Sequence, residues 1–313
     1  MLKTLFPELE PFQTHMIKVD DLHEIYVEES GKKDGAPVVF VHGGPGSGCG
    51  NDSRRFLDPD FYRIICIDQR GCGRSKPFVE LRNNTIQALA DDMEKVRELL
   101  GIERWLVYGG SWGTTLSLYY AENHPERVTA LILRGIFLGR DEDIKWLYQG
   151  GAGMFFPEAY AEFTSLLSED ERKDNVLSYY KHLTSENPEE RRKFGKAFSD
   201  FETSVVALHP RTLSEEITDG DISLAMMECH YFVNACFMEE NYLLNHVDRI
   251  QDIPTFIVHG RYDVDCRPEG AHLLAQKLKN CEIVYPIAGH SSFEPEITHE
   301  LILAQERFKR YFQ

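Results

Sequence analysis

A serine set among small residues, Gly109-Gly110-Ser111-Trp112-Gly113, directly follows the apolar run 105–108 and precedes a stretch with helical spacing. This is G-x-S-x-G in a strand-turn-helix setting, where a sharp turn lifts a serine hydroxyl clear of a sheet. A helix starting behind Ser111 would also stabilise negative charge developing beside it. A serine hydroxyl is a weak nucleophile until a base takes its proton, and the base works best when a carboxylate fixes its tautomer. Both partners appear downstream in the order Ser, Asp, His. Asp263 stands in His259-Gly260-Arg261-Tyr262-Asp263-Val264-Asp265 after the run 256–258, and His290 ends Pro286-Ile287-Ala288-Gly289-His290 after 283–285. The chain has 12 histidines, so position rather than residue type favours His290 over His259 or His272. Asp263 is favoured over Asp265, which reads as a solvated loop acid.

A second glycine-rich stretch, His42-Gly43-Gly44-Pro45-Gly46, follows the run 38–41. Glycines there let backbone N–H groups approach a substrate carbonyl, and one of them can pair with the N–H of Trp112 as an oxyanion hole. Gly44 is the assigned donor and Gly43 the alternative. A phosphate-binding loop fails on spacing, since neither G-x-G-x-x-G nor G-x-x-x-x-G-K-[ST] is met in this stretch. A third motif, Asp68-Gln69-Arg70-Gly71-Cys72-Gly73-Arg74-Ser75, reads as a tight polar turn supporting the active-site floor. No HExxH occurs and the histidines lack ligand spacing, so neither a metal nor another cofactor is expected.

The elements that must position these residues follow from periodicity. Residues 12–30 alternate loosely and break at Asp20-Asp21, as a β-hairpin would. Short Val- and Ile-rich runs at 38–41, 64–67, 106–108, 131–133, 256–258 and 283–285 suit strands buried on both faces of a parallel sheet. Helical patterns lie between them. Thr85 can cap a helix presenting Ile86, Leu89, Met93, Val96 and Leu100 on one face, with Gly101 ending it. Others follow Ser111, Pro268 and about Pro295. The alternation predicts an α/β fold, a mostly parallel doubly wound sheet of the α/β-hydrolase kind. Between about 140 and 245 the chain turns aromatic, charged and helical in period. The expected organisation is therefore a core of 1–139 and 246–313, with 140–245 inserted as a helical cap.

Charge and composition narrow the partners. A net charge of −17 makes nucleic acid or an anionic membrane surface an unsuitable partner, because phosphate binding needs clustered Lys and Arg. No stretch approaches the ~20 apolar residues that span a bilayer. The first 13 residues carry acids and a proline rather than a signal pattern, so a cytoplasmic location is expected. The seven cysteines form an odd set without a CxxC pair, which argues against a disulfide framework or a zinc ribbon.

The three motifs together, His42-Gly-Gly-Pro-Gly46, Asp68-Gln-Arg-Gly-x-Gly-x-Ser75 and Gly109-Gly-Ser-Trp-Gly113, closely resemble those of the prolyl aminopeptidases (proline iminopeptidases) of the α/β-hydrolase superfamily. The resemblance runs from the N-terminal hairpin to the C-terminal helix and includes Gly260-Arg-Tyr-Asp263 and Gly289-His290. It implies a helical cap and metal-free cleavage of N-terminal proline from peptides. An aminopeptidase must hold a cationic amine, and a buried cation needs carboxylate partners. By resemblance these are Glu202 and Glu228. The flanking His230-Tyr231-Phe232 matches well at Glu228, whereas Phe198 and Phe201 stand where the family usually shows tryptophan. Phe137 and Phe232 would line the apolar pocket for the pyrrolidine ring, with Cys266 close by. The alternative is an esterase, amidase or C–C hydrolase of the same fold acting on a small molecule, which would not need paired acids in the cap.

Overall fold

The computed structural model describes residues 2–312. Eight strands form one sheet: β1 (Gln13–Lys18), β2 (Glu24–Gly31), β3 (Ala36–Val41), β4 (Tyr62–Ile67), β5 (Trp105–Gly110), β6 (Val128–Arg134), β7 (Thr255–Val258) and β8 (Cys281–Val284). Their spatial order is β1-β2-β4-β3-β5-β6-β7-β8. The hairpin β1–β2 is antiparallel, β2 pairs antiparallel with β4, and every later pairing is parallel.

Alternate residues of each central strand enter two separate cores. Val39, Ile65, Val107, Leu131 and Ile257 pack with α1 (Ile86–Leu99) and α2 (Trp112–Asn123) on one face. Val38, Ile64, Leu106, Ile132 and Phe256 pack with Phe56, Leu301 and Phe308 on the other. A parallel sheet covered on both faces has to read as continuous apolar runs, which is why those runs were legible in the sequence. β8 departs from that expectation. As the edge strand it is only partly covered, so apolar content there did not mean burial on both faces.

Helix α1 starts at Thr85, whose hydroxyl accepts from Ala88 N, and Gly101 just beyond it takes a positive φ of 65°. After β7 come α9 (Pro268–Lys277) and, after β8, α10 (Pro295–Phe308), each with proline in its first turn.

Between β6 and β7 lie, among the described residues, six α-helices, short 3-10 turns and no strand: α3 (Asp141–Tyr148), α4 (Pro157–Ser165), α5 (Asn175–Leu183), α6 (Pro188–Val205), α7 (Asp219–Val233) and the short α8 (Tyr242–Asn245). Their mutual packing is aromatic. Phe163 stacks on Tyr179 at 4.4 Å and on Phe201 at 4.8 Å, and Phe198 stacks on Tyr148 at 5.1 Å. No helix among the described residues is long and apolar enough to cross a membrane.

Candidate active site

Ser111 stands at the turn between β5 and α2 with φ 58° and ψ −128°, a conformation side chains rarely adopt. The surrounding glycines are there because no side chain fits. A Cβ on Gly113 would lie 2.1 Å from Val41 O, and one on Gly109 would lie 2.4 Å from both Gly113 O and Ser117 Oγ. On Gly43 it would meet Ser111 Cβ at 3.2 Å. The serine turn and the glycine loop after β3 are thus packed backbone to backbone.

His290 comes from the loop after β8 and Asp263 from the loop after β7. His290 Nε2 lies 2.9 Å from Ser111 Oγ, and Nδ1 lies 2.7 Å from Asp263 Oδ2. Asp263 Oδ1 in turn accepts from Cys266 N at 2.8 Å, so its carboxylate is fixed. Burial pushes the imidazole down to about 4, which leaves it neutral near pH 7 with an unprotonated Nε2 beside Ser111 Oγ. Burial lifts Asp263 to about 6. His259, the weaker candidate, accepts from Ile136 N through Nδ1 and donates through Nε2 to Cys266 O, which occupies both nitrogens. His272 is exposed on α9.

The N–H of Trp112 is the first of α2 and has no helical acceptor. Gly44 N likewise has no hydrogen-bond acceptor among the described residues. The two motif loops and the turn after β4 are tied together by side chains. Trp112 Nε1 donates to Gln69 Oε1 at 3.0 Å, Gln69 Nε2 to His42 O at 2.9 Å, and Gln69 N to His42 Nε2 at 3.0 Å. Behind this, Arg70 makes a fork to Asp92 and Arg74 one to Asp68. The motif at 68–75 is therefore a brace beneath the two N–H donors, as its sequence suggested.

Ser111, His290, His42, Gly43 and Gly44 border a cavity of about 380 Å³, within the range of small-ligand sites. Glu202 from α6 and Glu228 from α7 face it together. Each places a carboxyl oxygen 2.5 Å from the hydroxyl oxygen of Tyr148 at the end of α3. One hydroxyl has one proton to give, so only one carboxylate can accept from Tyr148. The other must be protonated and donate to it. Burial favours a proton on the pair, lifting Glu202 to about 8 and Glu228 well above the ordinary carboxylate range, with each further raised by a neighbouring acid. Phe137 and Phe232 meet edge to face at 5.6 Å on the cavity wall, and Tyr148 packs on Phe232 at 5.7 Å. Cys266 is buried on the same wall, its thiol 3.3 Å from Asp265.

Of the preferred site residues, Ser111, His290, Gly44, Glu202, Glu228, Phe137, Phe232 and Cys266 line this cavity, while Asp263 and Trp112 are bonded to the residues that frame it. Asp265 is a correction. Expected as a solvated loop acid, it is only 8% exposed and faces the cavity beside the two glutamates. Two further residues went unnoticed. Tyr148 follows Trp146-Leu147 in an aromatic stretch with no motif to mark it. Arg134 at the end of β6 donates through Nη1 to His290 O and lies 3.0 Å from His290 Nε2. An arginine ending an apolar run, Leu131–Leu133 before it, was the available signal.

Among the described residues, Asp265, Cys266 and His290 are the group of three whose donor atoms lie within 4.8 Å of one another. A cation held there would compete with Ser111 for His290.

Residues 36–296 match the family model described as the alpha/beta hydrolase fold. The chain is 45% identical over 314 residues to a protein named proline iminopeptidase from Arabidopsis thaliana, an alignment covering 98% of this chain and 82% of that protein. It is 46% identical to a probable proline iminopeptidase from Leptolyngbya boryana, covering 98% and 97%. Among solved structures it superposes on an esterase from Exiguobacterium antarcticum with a TM-score of 0.61 at 20% identity, covering 92% of this chain and 96% of that one. At that identity the likeness concerns the fold alone.

Proposed function

The chain belongs to the proline iminopeptidase family of the α/β hydrolases, and on that premise we propose that it releases N-terminal proline from peptides through a prolyl ester of Ser111. The observation that carries the reading is the pair Glu202 and Glu228, joined through Tyr148 in the same cavity as the Ser111–His290–Asp263 array. An esterase needs the array but has no use for two buried acids beside it.

The substrate enters as a cation. Its ring nitrogen takes the place of the proton shared by Glu202 and Glu228, so a buried positive charge meets carboxylates already held in position. Phe137 and Phe232 flank the pyrrolidine ring, and Asp265 adds a third acid nearby. Ser111 Oγ attacks the prolyl carbonyl carbon while His290 Nε2 takes the serine proton and Asp263 stabilises the imidazolium. The carbonyl oxygen becomes an oxyanion held by the N–H groups of Gly44 and Trp112. The C–N bond then breaks, and His290 returns its proton to the leaving amine nitrogen. Water attacks the ester with His290 again as base, freeing proline and restoring Ser111. The helices of 140–245 act as a cap that brings the acids over Ser111.

Hydrolysis of a panel of aminoacyl-naphthylamides, including N-acetylprolyl-naphthylamide, tests this. The expected result is a strong preference for free proline that disappears on acetylation and in Glu228→Gln. Ser111→Ala should fold normally yet lose several orders of magnitude in kcat. Activity on simple esters without proline preference would keep Ser111 as nucleophile and discard the peptidase reading.

A further inference from the structure

Besides its acids, the cavity wall carries one exposed cation, Arg211. The cavity wall carries Glu202, Asp221, Glu228 and Asp265, and two guanidinium groups. Arg134 is spoken for by its contacts with His290. Arg211 belongs to the loop that follows α6, and its Nη2 donates to Ser291 Oγ at 2.6 Å, one residue beyond the base. No carboxylate among the described residues lies within 4.0 Å of it.

The loop bearing Arg211 is stitched to the loop bearing His290. Val206 O accepts from both His290 N and Ser291 N, at 3.1 and 2.8 Å. The Glu294 carboxylate accepts from Leu208 N at 2.9 Å and from Gly289 N at 2.7 Å. The guanidinium therefore starts from a fixed base, with one donor committed and the rest directed at no protein acceptor.

We propose that Arg211 is a carboxylate-binding subsite that grips the free C terminus of the substrate, and so makes prolyl dipeptides the favoured peptides. This rests on the proposed prolyl aminopeptidase reading, because it assigns the amine end to Glu202 and Glu228. His290 Nε2 must hand its proton to the nitrogen of the second residue, which places that residue beside Ser291. In a dipeptide the α-carboxylate is only two bonds from that nitrogen, about 2.5 Å through N–Cα–C. A cation one residue past the base meets it there, as planar guanidinium and carboxylate pair well. A zwitterionic dipeptide then lies with its positive end among the acids and its negative end on Arg211. A longer peptide carries its carboxylate past this point.

The test compares KM and kcat for Pro-Ala and Pro-Ala-amide, which differ only in that carboxylate, in wild type, Arg211→Gln and Arg211→Lys. Wild type is expected to show a KM about tenfold lower for Pro-Ala, the effect of about one charge-assisted contact. Arg211→Gln should bring the ratio of the two KM values close to one, and Arg211→Lys should restore part of it. If Arg211 only braced the two loops, both peptides would suffer together and the ratio would stand. Equal handling by wild type, or a preference that survives in Arg211→Gln, would overturn the subsite. Prolyl-naphthylamide separates the two readings. Its cleavage with no carboxylate preference removes the subsite alone, whereas no cleavage of any prolyl substrate removes both.

Discussion

Tyr148 has one hydroxyl proton between two carboxyl groups, each 2.5 Å from its oxygen, and that shortage gives the site a pH signature. Burial lifts Glu202 to about 8, so below that pH the free protein holds a proton that a cationic amine has to displace. Binding is thus weaker at low pH, and kcat/KM for prolyl-naphthylamide should rise with pH up to about 8, approaching tenfold per unit. His290 cannot be the source of that limb, because burial pushes it down to about 4. An uncharged ester such as p-nitrophenyl acetate bypasses the acids and should lose activity only from about pH 6 downward, where Asp263 takes up a proton. In Glu202→Gln the limb near 8 should vanish while KM for the prolyl substrate rises about tenfold or more. Parallel pH profiles for the two substrates would show that the acids do not bind the amine. The thiol of Cys266, pushed far up by burial among acids, is a poor nucleophile at neutral pH and fits a wall rather than a reaction step.

Helix α2 does two jobs that conflict. Its first turn presents Ser111 and the Trp112 N–H, which needs the rest of the helix pressed into the core, and eleven of its twelve residues are buried. Glu122 is caught in that burial, at 1% exposure, with neither carboxyl oxygen hydrogen-bonded to the described residues. Burial raises its folded-state value to about 9, above the ordinary value of an unfolded chain. A raised carboxyl contributes stability that is complete below its unfolded value and is lost as pH rises through its folded one. Between about pH 5 and 9 the folded protein should therefore weaken steadily on this account. Glu122→Gln keeps the shape and removes the charge. It should stabilise the protein by about 1–3 kcal/mol at pH 8 and flatten the pH dependence, as read by urea unfolding at pH 6 and pH 8. A variant no more stable than wild type at pH 8 would show that Glu122 finds a partner when it ionises.

At the scale of the whole molecule, a chain of net charge −17 holds the cavity proposed to take a cationic amine. A field of one sign steers oppositely charged ligands and is screened by salt. Raising ionic strength from about 0.02 to 0.5 M should therefore lower kcat/KM for prolyl-naphthylamide several-fold. The uncharged N-acetyl form or a simple ester should change little. An equal response by charged and uncharged substrates would place the effect in the protein's conformation rather than its field.

The sequence by itself determined the frame, the serine and its order of partners. Parallel strands covered on both faces have to be continuous apolar runs, and the turns around Ser111 and Gly43 have no room for a Cβ, so composition at those positions had little freedom. The resemblance of the motifs then supplied Glu202 and Glu228, which no periodicity distinguishes from surface acids. Tertiary structure alone decided the rest. Asp265 and Arg134 look in one dimension like a loop acid and a strand-end cation, and only packing turns them inward to the cavity. Tyr148 becomes a bridge because α3, α6 and α7 converge on it from positions 54 and 80 residues apart. Such contacts depend on how loops and helices meet in space, and that is set by the sum of many weak contacts rather than by any local pattern.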